Sequence, residues 1–319
     1  MTGSVHMPRL RTVAALGLAL AGVLLLVAPP SRATFRGANG LLLYQSQVGA
    51  NTQVFTIKPD GTGATQITHF KDSSATDANW APGGGGRIVF DRHWHPEGGP
   101  NERLVIYTAK FDGTGLRALP KAGNAAIGPN WLPDGRRIIF LDYTTGVGRL
   151  KLTTAAGAPA RPAGIPGAGG DSACALPGNR VAFIRPKPGS DDVEAIFVAG
   201  LSGHGLKRIT PWGGYADKID CSPDGARIVF SQPAFGQDGQ SSNVFTVRTD
   251  GTKRVQVTHA TGGTINDGAD SWSPDGTKIA YVSNASGSYQ IWTAKADGTN
   301  AMQVTHGPEA HLAAWGSHQ

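Results

Sequence analysis

The chain has 319 residues, 39% of them hydrophobic and 16% charged, with a formal net charge of +6 at pH 7. The apolar share supports a packed core, and the scattered Lys and Arg argue against a nucleic-acid-binding surface. With 45 Gly, 21 Pro and no long amphipathic helical period after residue 33, the composition excludes a helical bundle and favours short strands joined by tight turns.

The first element is of a different kind from the rest. Arg9 and Arg11 precede an apolar run from Val13 to Val27, and APPSRA ends at Ala33 with small residues at Ser31 and Ala33. This is the layout of a secretory signal, and the run is short for a membrane span. Residues 1–33 are therefore predicted to be a secretory signal, with an uncleaved anchor as the alternative, and residues 34–319 the propeller domain. Cleavage removes Arg9, Arg11 and Arg32 and no acid, lowering the formal charge by three. The expected location is exported: periplasmic, cell-envelope or extracellular, with no span in the mature chain.

The mature chain opens on a strand-like run, GLLLYQSQ (Gly40–Gln47), followed by QVFTIKPDGTGATQITH (Gln53–His69). A unit then recurs. NWAPGGGGRIVFDR (Asn79–Arg92) leads into LVIYTAKFDGTGLRAL (Leu104–Leu119). NWLPDGRRIIFLDY (Asn130–Tyr143) leads into RLKLTTAAGAPARPA (Arg149–Ala163). CALPGNRVAFIRP (Cys174–Pro186) leads into AIFVAGLSGHGLKRIT (Ala195–Thr210). KIDCSPDGARIVFSQ (Lys218–Gln232) leads into NVFTVRTDGTKRVQVTH (Asn243–His259). SWSPDGTKIAYVSN (Ser271–Asn284) leads into QIWTAKADGTNAMQVTH (Gln290–His306). The chain ends in AHLAAWGSHQ (Ala310–Gln319).

Each full unit reads as four antiparallel strands, A to D, of about 45 residues. Strand A ends at a Trp-type position: Trp80, Trp131, Ala175, Cys221 and Trp272. Pro-Asp-Gly then supplies a pre-set φ, a side chain that bonds back to the backbone, and a left-handed residue. Strand B is dense in Ile, Val and Phe, as a strand buried on both faces is. Asp-Gly between strands C and D signals a hairpin. Six second halves, a first unit lacking strand A and a final segment carrying Trp315 predict an all-β, six-bladed propeller. The C-terminal strand closes the ring beside the first blade and removes an open sheet edge.

The repeats SWSPDGTKIAYVSN and QIWTAKADGT resemble the WD40-like propeller repeats of the TolB family, over essentially the whole mature chain. The resemblance implies the fold more than the activity. That family carries an α/β domain before its propeller, and few residues lie between Ala33 and Gly40 here. The expectation is a TolB-like propeller without that domain, and a role in the Tol envelope system does not follow.

Chain direction puts the uniform A–B and C–D turns on one rim and the variable B–C and D–A loops on the other, where binding residues are expected. Candidates for partner or ligand contact there are His93, Trp94 and His95 in blade two, and Trp212 and Tyr215 after blade four. The indoles are either exposed contacts or packed onto neighbouring loops, and His93-x-His95 needs a third ligand to hold a metal. Asp171, Asp217 and His311 occupy equivalent positions four residues before the Trp-type site, with Asp267 and Asp270 close by. As a group they are candidates for Ca²⁺ or another divalent cation at the channel mouth, or for capping and hydration of the pore. His69, His259 and His306 repeat at one strand-end position and so read as architecture. Cys174 and Cys221 are offset by one register position and face the same gap between blades four and five. They form either a disulfide or two buried thiols.

No Gly-x-Ser-x-Gly elbow, His-Glu-x-x-His helix or phosphate loop occurs. The expected function is thus a monomeric, non-catalytic binding or scaffold propeller without cofactor, taking a protein or glycan partner through the variable rim. The alternative is a cation-dependent hydrolase or lyase at the channel mouth.

Overall fold

The computed structural model describes residues 35–94, 103–167, 169–170, 172–190, 193–213, 218–233, 241–260 and 265–318. The proposed signal, residues 1–33, lies outside them. They form six four-stranded antiparallel sheets. Blade one is built from both ends of the domain. Its strand A is Ala310–Trp315, its strand B Leu42–Val48, with Leu42 paired to Trp315 and Gln45 to His311. The other five blades are contiguous, with inner strands Ser73–Trp80, Ala126–Trp131, Ala173–Leu176, Ile219–Cys221 and Asp267–Trp272. The ring closure expected from the leftover strands is therefore present. A single 3-10 turn, Pro120–Ala122, is the only helical element among the described residues.

The continuous apolar run of strand B follows from burial on both sides. In blade two, Ile88 and Phe90 pack towards blade one with Leu43 and Val54, while Val89 packs towards blade three with Trp131, Ile138 and Phe140. Every blade gap holds such a core, so the protein has six inter-blade cores in place of one centre.

The Asp-Gly-Thr turns are local clasps. Asp60, Asp112, Asp250 and Asp297 each accept from the backbone N–H and the hydroxyl of the Thr two residues on, at 2.6–2.9 Å. These hydrogen bonds hold all four carboxyls below their usual range. The turn glycine is needed twice over. Gly298 has φ 86°, and a Cβ there would lie 2.2 Å from the Val257 carbonyl oxygen of the preceding blade.

The outer strands are shorter than the sequence suggests, only two paired residues in every blade. The Thr of the recurring Ile/Val-Thr pair explains where pairing stops. Thr68, Thr210, Thr258 and Thr305 each place Oγ1 2.9 Å from the strand-C amide of Val54, Ile196, Val244 and Ile291. The hydroxyl replaces the next ladder bond as the outer strand peels away. His69, His259 and His306, which follow, are exposed at three separate blades.

Adjacent blades are tied by the residue just before the Trp-type site. In blade five Asp220 Oδ2 accepts from the Trp272 backbone N–H of blade six at 2.9 Å. In blade six Ser271 Oγ accepts from Trp315 N–H of blade one at 3.0 Å. Asn79 of blade two donates to the Pro129 carbonyl of blade three at 3.0 Å. Between blades four and five the same two positions carry Cys174 and Cys221, which are joined by a disulfide with a Cα–Cα distance of 5.6 Å. A second tie runs along the turn rim. The first Arg of strand B stacks on the next blade's Trp: Arg87 lies 4.8 Å from the Trp131 ring and Arg227 4.3 Å from Trp272.

Candidate functional site

Blade two projects the richest set of side chains towards the variable rim. Period-two alternation along Arg87–Trp94 sorts them. Asp91 and His93 share one face. Asp91 is fully buried and His93 partly so, and the imidazole Nε2 contacts Asp91 Oδ2. The Thr76 hydroxyl lies 2.8 Å from that oxygen and 3.1 Å from His93 Nε2, while Gly128 N–H of blade three reaches Asp91 Oδ1 at 3.3 Å. His93 is therefore a member of a hydrogen-bonded cluster. On the other face, Arg92 is the hub of an aromatic stack. Its guanidinium lies 3.9 Å from the Phe70 ring and 4.2 Å from the Trp94 ring, and it pairs with Asp72 at 2.9 Å. Trp94 also approaches Tyr107 at 6.0 Å. The Trp94 indole is half-buried and fixed in orientation.

The inner strands line the central channel. Three of the pairings between inner strand and strand B carry a bulge at this depth in blades two, three and six, and the closing strand carries a fourth. In blade two the bulge presents Asp77, with φ 51°. Burial, and then the neighbouring Asp91 carboxylate, push Asp77 up to about 7 against the pull of Lys218 and His93. Burial likewise raises Asp220 to about 6, opposed by the Trp272 and Cys221 N–H groups and by Lys218. Lys218, at the start of blade five's inner strand, also stands 4.0 Å from Asp270. This channel wall thus has four carboxyls, Asp77, Asp91, Asp220 and Asp270, facing Lys218 and His93.

The other candidates are dispersed. Asp267 is buried, bonded to Ser283 and Thr258, and its carboxyl is raised by burial. His311 packs at a tilt on Tyr289, ring centroids 5.0 Å apart, and stands 3.6 Å from Glu309. Asp267 and His311 thus engage different partners. Among the described residues, no three His, Cys, Asp or Glu side chains converge as a metal site requires. Trp212 packs on Phe197 at 5.5 Å with Arg208 5.2 Å from its ring, beside a cavity of about 90 Å³ shared with Gln232 and Arg254. His95, Asp171, Tyr215 and Asp217 lie outside the described residues. The sequence reading missed Asp77, Asp91, Lys218 and Asp220. Asp91 is hidden at the end of a core strand, and Asp77 gains its position from a bulge that no turn residue announces.

No family model matches the chain. A curated relative, the protein TolB homolog of Chlorobium luteolum, is 27% identical over 186 residues, which is 58% of this chain and 30% of the relative. Among solved structures, TolB from Acinetobacter baumannii superposes with a TM-score of 0.69 at 17% identity, over 86% of this chain and 66% of that one. The chain shares the six-bladed β-propeller fold of TolB. The putative TolB from Agrobacterium tumefaciens matches with a TM-score of 0.62 at 17% identity, over 86% of this chain and 92% of that one. The propeller spans under two thirds of the first of these structures and under a third of the Chlorobium relative. No helix among the described residues is long and apolar enough to cross a membrane.

Proposed function

We propose that this propeller is an exported, non-catalytic binding module that takes a protein partner at the cell envelope through its variable-loop rim. The observation that carries this reading is the Arg92–Trp94 stack. An indole held between a guanidinium and Tyr107 loses little freedom when a partner covers it, which is what an interface anchor requires. Trp212, braced by Phe197 and Arg208, supplies a second fixed ring two blades on. The acidic channel wall behind them suits a basic group on the partner. Likeness in fold to proteins named TolB supports a rigid propeller frame for such loops, and the N-terminal residues 1–33 support export.

The test is affinity capture from an envelope fraction with wild-type protein, Trp94→Ala and Trp212→Ala, with and without EDTA. A specific protein is expected with wild type, insensitive to EDTA, and reduced at least about tenfold by Trp94→Ala. Equal capture by wild type and both variants would remove the rim from consideration. Capture of a glycan in place of a protein would redirect the reading.

A further inference from the structure

The opposite rim, where turns looked uniform, carries a basic cavity of about 800 Å³ between blades three, four and five. Arg137, Arg161, Arg180, His204 and Lys207 line it over an apolar floor that includes Leu152 and Val198. Its described lining contains no Asp or Glu.

Two separate departures from the repeat create this charge. The first concerns the turn acids. Four of the six C–D turns place an Asp at one position, Asp60, Asp112, Asp250 and Asp297, but blades three and four place Ala156 and Ser202 there. The A–B turn of blade four likewise has Gly178 where blades three, five and six have Asp134, Asp224 and Asp275. Gly178 and Ser202 line this cavity, whereas Ala156 does not, and blade two has also lost its A–B acid, at Gly83. The second concerns the Trp-type sites. Arg87 and Arg227 open their strands by stacking on the next blade's Trp. Arg137 and Arg180 hold the same strand position, but the next blade offers Ala175 and Cys221 in place of Trp. Arg137 turns to Asn179 Oδ1 at 2.6 Å and to Asp134 at 2.5 Å, and Arg180 to the Pro177 carbonyl at 3.2 Å. Lys207 donates to the Asp250 carbonyl at 2.9 Å, while the Asp250 carboxylate is taken by Thr252. Arg161 and Arg180 are exposed.

We infer that this cavity is a binding site for a polyanionic ligand of oligosaccharide size, one that presents several phosphate or carboxylate groups. The volume falls within the range of small-molecule sites, and guanidinium forks match both oxyanions. No Phe, Tyr or Trp is among the lining residues, so extended base stacking, and with it single-stranded nucleic acid, is not favoured. The inference is independent of the partner proposed for the other rim.

The experiment is calorimetric titration of the mature protein with inositol hexakisphosphate, with a trimeric oligouronate and with neutral maltotriose, at low and at physiological salt. Saturable one-to-one binding of either anion, with none of maltotriose, is expected. Phosphate alone, uronate alone or both would identify the natural source among the oxyanions. Arg161→Ala with Arg180→Ala should weaken binding by on the order of tenfold per guanidinium. Ser202→Asp, which restores the acid of the other turns beside a Gly203 of the same φ, should weaken it without altering the melting temperature. Lys58→Ala with Lys295→Ala, cations on the same rim beside Asp60 and Asp297, should leave it unchanged. Absence of saturable binding by both anions, or equal weakening by the Lys58 and Lys295 pair, would overturn the inference.

Discussion

The junction of blades five and six and the junction of blades four and five use the same two backbone positions in different ways. At the first, a buried carboxylate of Asp220 holds the Trp272 amide, and Arg227 lies over the Trp272 ring. At the second there is no Trp: Cys174 and Cys221 replace the hydrogen bond with a covalent one, and Arg180 has no ring to cover. A repeat protein can thus lose its signature residue at one joint when that joint is secured otherwise. The side chain released from packing is then free for another use.

Breaking each joint separately sharpens the contrast. The largest effect is expected from Cys174→Ala with Cys221→Ala. The bond closes a 47-residue separation, and its loss should cost up to about 4 kcal/mol in urea unfolding, with dithiothreitol reproducing the loss in wild type only. A smaller effect is expected from Arg227→Ala, about 1 kcal/mol through the exposed-side stack on Trp272. The positional equivalent Arg180→Ala should move the urea midpoint by much less, because no ring lies beneath it. Equal losses at the two arginines would refute the idea that the missing Trp changes what the Arg does.

The finest distinction lies in pH. Asp220 titrates at about 6 in the fold against 3.8 when free, so the native state keeps a proton that the unfolded chain has released. Its contribution to stability is full below about 3.8 and is lost as pH rises through about 6. Asp220→Asn should therefore flatten the fall in melting temperature between pH 4 and 6. The disulfide joint has no such proton, and the cysteine variant should keep the wild-type slope.

Much of the architecture was legible because its signals are local. Pro-Asp-Gly, Asp-Gly-Thr and the Ile/Val-rich strand B each prescribe their own conformation within a few residues, and Trp315 matched the one blade lacking an inner strand. The cysteine register followed from strand alternation. The functional surface was harder to read, because its determinants act between blades. Nothing near Arg180 in sequence says that Cys221 leaves it without a ring. Asp91 sits at the end of the RIVF strand, and its tie to Thr76 needs the bulge at Asp77. The Thr-His repeat drew attention to the imidazoles, whereas the hydroxyl one residue earlier makes the recurring hydrogen bond. The turn rim reads as regular, yet two of its exceptions, Gly178 and Ser202, line one cavity.

The clasp in blade one also bears on how fast the molecule can form. Trp315 Nε1 donates to the Gly40 carbonyl at 3.0 Å across 275 residues of chain. Bringing such distant segments together carries a chain-entropy cost on the order of 5 kcal/mol beyond a fixed constant, whereas the hairpins inside the other blades close over a few residues. Five blades can therefore assemble from neighbouring contacts while blade one waits for the tail, making ring closure the slow, high-contact-order event of folding.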